Sequence, residues 1–469
     1  MVEPIWKWDA VDVAFGIRSG LISSREAVQA SLDRMAAVNP SMNAVTVVNA
    51  EQALAEADSA DRAVLHGDAL GLLHGVPLTT KENVDQAGEA TTHGVVAFKD
   101  NTATTDSPAV KNLRKAGAIV IGRTNMSAFA MRWHTDNDLH GPTYNPWNRH
   151  FTAGGSSGGA AASIAAGVTA IAHGNDYGGS IRYPAYCCGI VGIKPTVGRV
   201  PHFNLSAKEE RSLTPQLFSV QGPMARRVKD LRLALQAMSL GDARDPSWVS
   251  APLEGPRLGQ PLRVAMTTNP SQLGVDPAVE ESVRKAAEAL SRAGYEVEEV
   301  EPPDTDAVAE LWWRLAWWEM NELSGEGIRK FGDEGVKRAF EMYVESTSKV
   351  DLLGYMKGVA ARATHLRKWL QFLERYPLIL GPVSAELPFL VDFDLQPGLS
   401  GETVRRAQRL LIAVNLLGLP SVAVPTGLSN GMPVGVQLIG SPFREDFCLD
   451  AAEVIEAQLK LDTPIDPRL

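Results

Sequence analysis

Two serines in glycine-rich stretches, with a lysine upstream, are the residues whose types and spacing best suit chemistry. Ser156 lies in the stretch FTAGGSSGG, Ser180 lies in GNDYGGSIR, and Lys81 ends the stretch GVPLTTK. Glycine has no Cβ and tolerates positive φ, so such loops can bring backbone N–H groups close to a bound carbonyl. The pattern predicts a serine hydrolase that works without a catalytic histidine.

The base that would activate a serine is less clear from the residues alone. A serine hydroxyl becomes a nucleophile only when a base takes its proton. The chain has nine histidines, none in a paired motif, and only His134 and His173 lie near the serine loops. Lys81 ends an apolar run, where burial would lower the pKa of its amine and leave it neutral. Taken alone, however, a lysine at a strand end is more typical of an exposed position.

Composition narrows the class of protein. The 469 residues are 45% hydrophobic and 21% charged, which is the balance of a globular protein with a large core. A net charge of −10 argues against nucleic acid as a partner. Three cysteines in no disulfide or zinc pattern favour the cytoplasm. We see no signal peptide and no run of about 20 apolar residues, so we expect no membrane association and a mature chain that starts near residue 1.

Alternating helical and apolar strand patterns predict an α/β fold that would carry these loops. A capping box formed by Ser23 and Glu26 lies within the segment 1–65, which we predict to be a helical N-terminal segment. Residues 303–375 have helical periodicity and five tryptophans, and predict a helical insertion or cover near the site. No linker divides the chain, so we expect a single domain over 1–469. Further helices are predicted at 107–116, 159–167, 277–293 and 445–459, and strands at 75–81, 117–122, 168–172, 262–266, 295–300, 378–382, 421–425 and 435–440.

The run from Ala153 to Thr196 closely resembles the signature of the amidase signature family, in which two serine loops lie 24 positions apart, as they do here. The resemblance extends over roughly residues 10 to 460. Its other landmarks are GVPLTTKENV at 75–84, GRTNM at 122–126, YNPW at 144–147, GPMAR at 222–226, GLPSVAVP at 418–425 and GMPVGVQLIG at 431–440.

This resemblance implies a fold and a role for each site residue. The fold would be a large mixed, twisted central sheet covered by helices on both faces. Ser180 would be the nucleophile, Ser156 the bridging serine after a cis peptide at Gly155, and Lys81 the base. Backbone N–H groups of Tyr177, Gly178, Gly179 and Ser180 would form the oxyanion hole. Asp176 and Arg182 would hold the nucleophile loop, and Ser157 would order the first loop. No metal or organic cofactor is implied.

The chain departs from the family at Asn175, where many members have threonine, and at His173, where the position is usually small or apolar. Tyr177 occupies a variable position that could touch the acyl group. Trp313 and Trp317 share a helix face and could form the wall of an aromatic acyl pocket, although helical aromatics at that spacing are more often core. In that case Trp312 and Trp318 would face elsewhere.

Several alternatives to an amide hydrolase fit parts of the sequence. The stretch GSSGG fits the nucleophile elbow G-x-S-x-G with Ser157, but a polar loop precedes it where that motif needs a strand, and no phosphate-binding lysine follows the glycines. An amidotransferase subunit of the same fold, glutamine-dependent and linked to tRNA, stays open, as does a non-catalytic binding protein. We expect an amidohydrolase acting on a linear hydrophobic or aromatic carboxamide, with ester or carbamate cleavage as side activities. A homodimer stays open.

Overall fold

Eleven strands form one mixed sheet in the computed structural model, which describes residues 3–259, 261–348 and 350–468. The spatial order is β1-β3-β2-β4-β6-β5-β10-β11-β9-β7-β8. The strands are β1 Val45–Val48, β2 Pro77–Lys81, β3 Ile119–Thr124, β4 Ile171–Asp176, β5 Val191–Lys194, β6 Val220–Ala225, β7 Arg263–Met266, β8 Glu296–Glu299, β9 Leu378–Pro382, β10 Ser421–Ser429 and β11 Met432–Gly440. Parallel pairs, such as β2 with β3 and with β4, occur beside antiparallel ones.

Fifteen α-helices of the described residues cover this sheet. They are α1 Ala10–Arg18, α2 Ser24–Met42, α3 Ala50–His66, α4 Pro108–Lys115, α5 Gly158–Ala165, α6 Arg182–Cys188, α7 Leu213–Phe218, α8 Val228–Met238, α9 Pro277–Arg292, α10 Thr305–Phe331, α11 Glu334–Glu345, α12 Leu352–Arg375, α13 Gly401–Ala407, α14 Arg409–Leu417 and α15 Glu445–Leu459. None of the described helices is long and apolar enough to span a bilayer.

The strands bury side chains on both faces of the sheet. Ile119 and Ile121 of β3 pack into one core, whereas Val120 between them packs into the other. This follows from the two-residue period of a strand, which sends successive side chains to opposite faces. Helices α5, α6, α10 and α14 complete the first core, and α8, α9 and α15 complete the second. The predicted α/β fold with a mixed sheet covered on both faces is therefore confirmed.

Two local predictions differ from the structure. The segment 1–65 is not helical throughout, because Val45–Val48 forms the edge strand β1, paired antiparallel with β3. The strand predicted at 168–172 begins later and ends at Asp176, since β6 supplies backbone partners for its polar end, with Asn175 opposite Gln221. Two residues expected in a glycine loop, Asn175 and Asp176, are thus held by the sheet.

Three long helices lie between β8 and β9, where the sequence predicts a helical cover over 303–375. Helix α10 packs against α14, and side chains cap the starts of the other two helices. Asp333 accepts from the Val336 N–H at 2.6 Å before α11, and Asp351 accepts from the Gly354 N–H at 2.7 Å before α12. We call α10, α11 and α12 the cover helices; that they form an insertion in a single domain stays a prediction, which the continuous sheet supports.

Candidate active site

Lys81 is the last residue of β2 and is fully buried. Strand β2 lies parallel to β4, so the carboxyl ends of the two strands meet at one edge of the sheet. Lys81 Nζ lies 2.7 Å from Ser156 Oγ and 2.7 Å from Asn175 Oδ1. The structure thus brings together the predicted base, the predicted bridging serine and the asparagine at which the chain departs from the family.

The environment of Lys81 favours the neutral amine. Burial lowers the pKa of Lys81 to about 7, and the negative charge of Asp176 opposes that effect. A neutral amine keeps a lone pair that can accept a proton from Ser156 while its N–H groups donate to Asn175. At neutral pH, therefore, a large fraction of the molecules carry Lys81 in the form that a general base requires.

The loop that carries Ser156 is buried and closely packed. The peptide bond between Gly155 and Ser156 is cis, as the resemblance implies. A Cβ on Gly155 would lie 2.3 Å from the carbonyl oxygen of Arg132, so only glycine fits there. Thr135 Oγ1 donates to the Gly154 carbonyl at 2.9 Å and accepts from the Gly158 N–H at 3.0 Å. Thr135 orders this loop, and no local pattern in the sequence indicates that role.

Ser157 does not play the part that the sequence predicts. Its hydroxyl is buried and has no hydrogen-bond partner among the described residues. It therefore does not order the loop through its hydroxyl, because that task falls to Thr135 from a separate segment.

Ser180 lies at the tip of the second loop, between β4 and α6, and is partly exposed. Ser180 and Ser156 both line a cavity of about 540 Å³ that opens toward solvent. Within the described part of the chain, the two serine hydroxyls form no hydrogen bond with each other. Catalytic hydrogen bonds are often long without substrate and shorten when it binds. The arrangement therefore keeps both serines as candidates at one cavity wall.

A buried ion pair between Asp176 and Arg182 lies next to the Ser180 loop. Arg182 Nε donates to Asp176 Oδ2 at 3.0 Å, and Asn415 Nδ2 of α14 donates to Asp176 Oδ1 at 2.9 Å. Burial alone would raise the pKa of Asp176, but the charge and hydrogen bond of Arg182, together with Lys194 and the Asn415 hydrogen bond, outweigh burial and lower that pKa to about 2. Asp176 and Arg182 thus make contacts that fit the loop-holding role implied by the resemblance, which stays a prediction, and Asn415 is a third member of this group that the sequence did not indicate.

The backbone of this loop presents fewer free donors than the sequence predicts. The Gly179 N–H donates to Asp176 Oδ1 at 2.8 Å and is not available to an oxyanion in this structure. Position 179 also requires glycine, because its φ is +103° and a Cβ there would lie 1.9 Å from Leu411 Cδ2. Among the described residues, the Tyr177, Gly178 and Ser180 N–H groups have no protein acceptor, and they remain the candidate oxyanion donors.

An aromatic slot adjoins the loop, and its lining differs from the expectation. Trp312 and Trp317 of α10 line it together with Trp133, Met131 and Met320, beside Ser180, in a volume of about 20 Å³. Trp313, which the sequence predicts at the pocket, instead stacks on Trp133 with centroids 6.1 Å apart. Trp312 is expected to face elsewhere, yet its indole N–H donates to the Tyr177 carbonyl at 3.1 Å. This hydrogen bond to the loop holds the Trp312 side chain at the slot.

The two histidines near the loops are not placed as bases. Burial lowers the pKa of His173 to about 3, and its Nε2 lies 2.7 Å from Gln221 Oε1. Burial, aided by the charge of Arg132, lowers the pKa of His134 to about 4. His134, Asp136 and Asp392 form a group with ligand atoms within 4.8 Å of one another, but Arg132 Nη2 already lies 2.8 Å from Asp392 Oδ1 and supplies a positive charge there.

Sequence comparisons show which family this chain belongs to. The Amidase family model matches residues 26–449. The indoleacetamide hydrolase of Bradyrhizobium diazoefficiens is 48% identical over 454 residues, covering 97% of this chain and 87% of that protein. A glutamyl-tRNA(Gln) amidotransferase chain of Chromohalobacter salexigens is 34% identical over 472 residues, covering 94% of each chain.

A solved structure agrees with the sequence comparisons. That of a bacterial aryl acylamidase of the amidase signature enzymes superposes with a TM-score of 0.83 at 27% identity, covering 97% of each chain. Because both kinds of comparison span nearly the whole chain, this protein belongs to the amidase signature family of amide-hydrolysing enzymes.

Proposed function

We propose that this amidohydrolase works through Ser180 as nucleophile, Ser156 as proton relay and Lys81 as base. The observation that carries the proposal is the 2.7 Å contact between Lys81 Nζ and Ser156 Oγ, at the wall of a cavity that Ser180 shares. No other basic group of the described residues forms a hydrogen bond with either serine hydroxyl. The lowered pKa of Lys81, about 7, supports the same assignment.

In this mechanism a proton transfer along the relay accompanies each bond that forms or breaks at the amide carbon. Neutral Lys81 accepts the Ser156 proton while Ser156 accepts that of Ser180, and Ser180 Oγ bonds to the amide carbonyl carbon. The Tyr177, Gly178 and Ser180 N–H groups stabilise the developing oxyanion. The relay then returns the proton to the leaving nitrogen, the C–N bond breaks, and an acyl-enzyme remains. Water deprotonated by the same relay attacks the ester carbon and releases the acid and Ser180.

The substrate that fits best is a primary arylacetamide, with indole-3-acetamide as the first candidate. The 48% identical relative is an indoleacetamide hydrolase. A cavity of about 540 Å³ is within the usual range for small-molecule sites, and Phe129, Tyr177 and Met320 give it an apolar wall. Esters and carbamates of similar shape would enter the same acyl-enzyme route as side substrates.

The test is hydrolysis by the purified full chain. Indole-3-acetamide, an anilide and an aliphatic amide are compared by release of acid and of ammonia or amine. We expect the first to be preferred, and Ser180→Ala, Ser156→Ala and Lys81→Ala each to lose activity. A fluorophosphonate probe should label the wild type but not Ser180→Ala. Ser163, whose hydroxyl only donates to the Ala160 carbonyl within α5, gives the matched control Ser163→Ala. Retained hydrolysis in Ser180→Ala would contradict the assignment.

An amidotransferase subunit is the second candidate, since the relative of that name is 34% identical over 94% of this chain. Such a protein would depend on partner chains, whereas an amidase turns over alone. Glutamine hydrolysis that appears only with partner chains, without arylacetamide turnover, would favour this second function. Absence of turnover on every amide would favour a binding protein.

The setting of the enzyme is also a proposal. We place the chain in the cytoplasm because its three cysteines, Cys187, Cys188 and Cys448, are all free and buried. Cell fractionation tests this location. Light scattering of the purified chain decides between a monomer and the homodimer that the sequence leaves open.

A further inference from the structure

Glu319 is a buried carboxylate without a cation. It lies on α10, is 3% exposed, and forms no salt bridge with any described residue. Buried charges usually have a paired opposite charge, because removing a charge from water is costly. Glu319 is held instead by hydrogen bonds. Its Oε1 accepts from the Thr214 N–H at 2.9 Å and the Thr214 hydroxyl at 2.7 Å, and its Oε2 accepts from the Tyr355 hydroxyl.

The carboxylate sets the direction of a hydrogen-bond chain that ends at the catalytic loop. The single Thr214 hydroxyl proton is donated to Glu319 Oε1. Tyr177 OH lies 2.7 Å from Thr214 Oγ1, and it must therefore donate to that oxygen. Tyr177 directly precedes Gly178, Gly179 and Ser180 in the chain. Glu319 thus fixes the side chain at the start of the loop.

Helix α10 holds Tyr177 at a second point. The Trp312 indole N–H donates to the Tyr177 carbonyl at 3.1 Å. Trp312 lies seven residues before Glu319, about two helical turns, so both side chains leave the same face of α10. The Tyr177 carbonyl and the Gly178 N–H belong to one planar peptide unit. Fixing that carbonyl therefore fixes the direction of a candidate oxyanion donor.

We propose that α10 is a clamp on the oxyanion loop and that Glu319 is a positioning residue for it, acting through Thr214 and Tyr177. This inference rests on the proposed role of Ser180. Glu319 does not touch the cavity that holds the reacting atoms; it aligns the Gly178 N–H by holding Tyr177 in one place. Tyr177 also lines both the slot and the larger cavity, so the clamp fixes the wall between them.

The test replaces Glu319 by glutamine, which has one acceptor oxygen where the network needs two. We expect kcat for indole-3-acetamide to fall about 10-fold to 100-fold, as misplacement of reacting groups typically does, with little change in KM. Phenylacetaldehyde, whose adduct with Ser180 places an oxygen at the oxyanion position, should lose affinity, while phenylacetate should not. Glu326→Gln, an exposed change on the same helix, is the matched control.

A double-mutant cycle separates the clamp from a general packing defect. Tyr177→Phe removes only the hydroxyl, so Glu319→Gln should cost little further kcat in that background. Additive losses, or equal weakening of phenylacetaldehyde and phenylacetate, would overturn the proposal. Should Glu319→Gln fail to fold, Tyr177→Phe and Thr214→Val take its place, and wild-type kcat in both would overturn it. Failure of the proposed function looks different, because Ser180→Ala would then keep its activity.

Discussion

Replacing Asn175 by aspartate should move the pH dependence of hydrolysis by about three units. The change is nearly isosteric and puts a carboxylate oxygen where Oδ1 now lies, 2.7 Å from Lys81 Nζ. Two opposite charges about 4 Å apart at an effective dielectric constant near 20 attract by about 4 kcal/mol, which corresponds to about three pKa units. Because the attraction favours the ammonium form, the pKa of Lys81 rises from about 7 in the native protein.

The consequence is a specific loss at neutral pH. If Lys81 acts as the neutral base, kcat/KM of the wild type rises with pH and levels off above about 7. In Asn175→Asp the rise should move toward pH 10, which lowers kcat/KM at pH 7 by about 500-fold, since about half of the wild-type molecules are already protonated there, and lets activity recover at high pH.

The assay is initial-rate hydrolysis of indole-3-acetamide between pH 5.5 and 10, with folding checked by circular dichroism at each pH. The neutral variant Asn175→Leu is the control, because it removes the acceptor without adding charge and should not move the rise to higher pH. An unchanged pH profile in folded Asn175→Asp would refute the role of Lys81 as the base.

The same structure supports three further predictions. Lys81→Met should remove part of the pH dependence of stability. Between pH 7 and 10.5 the unfolded lysine binds a proton that the folded lysine does not. In denaturant titrations, the free energy of unfolding of the wild type should therefore rise relative to that of the variant by about 1.4 kcal/mol per pH unit. Thr135→Val leaves the Gly154 carbonyl and the Gly158 N–H without their partner and should lower the free energy of unfolding by about 1–3 kcal/mol in urea, whereas no change would show that water replaces Thr135. Met320→Ala removes apolar surface between slot and cavity, so kcat/KM should fall about 10-fold for indole-3-acetamide and stay constant for acetamide; equal losses for both would contradict an aryl site there.

Much of the fold was readable from local patterns. Apolar strands such as Leu378–Pro382 and the closing helix Glu445–Leu459 match their predicted bounds, because periodicity and turn residues encode them locally. The Ser23 capping box is present as well. The edge strand Val45–Val48 was missed because it follows a helix closely and owes its conformation to pairing with β3.

At the site, residue types were more predictable than contacts. The sequence placed Lys81, Ser156 and Ser180 together only through the family resemblance, since the three come from segments far apart in the chain. The occupied N–H of Gly179 could not be foreseen, because a carboxylate three residues earlier competes with any oxyanion for it. The sequence predicts Trp313 at the slot, but Trp312 lies there instead. Its position depends on the hydrogen bond from its indole N–H to the Tyr177 carbonyl, which is distant in the chain.

The sheet carries the base of the proposed proton relay, whereas the cover helices carry part of the wall of the slot. This separation affects how the substrate specificity of such an enzyme could change. Lys81, Asn175 and Asp176 lie on hydrogen-bonded strands, whereas α10 contributes Trp312, Ala316, Trp317 and Met320 to the wall of the slot. Sequence changes in the cover helices can therefore reshape specificity while the residues of the proposed proton relay stay in place. Trp312 and Glu319 are two exceptions on α10, because in the proposed clamp they hold the loop that carries Ser180. Libraries that vary α10 but keep these two residues should yield new specificities with more surviving catalysts than libraries that vary all of it.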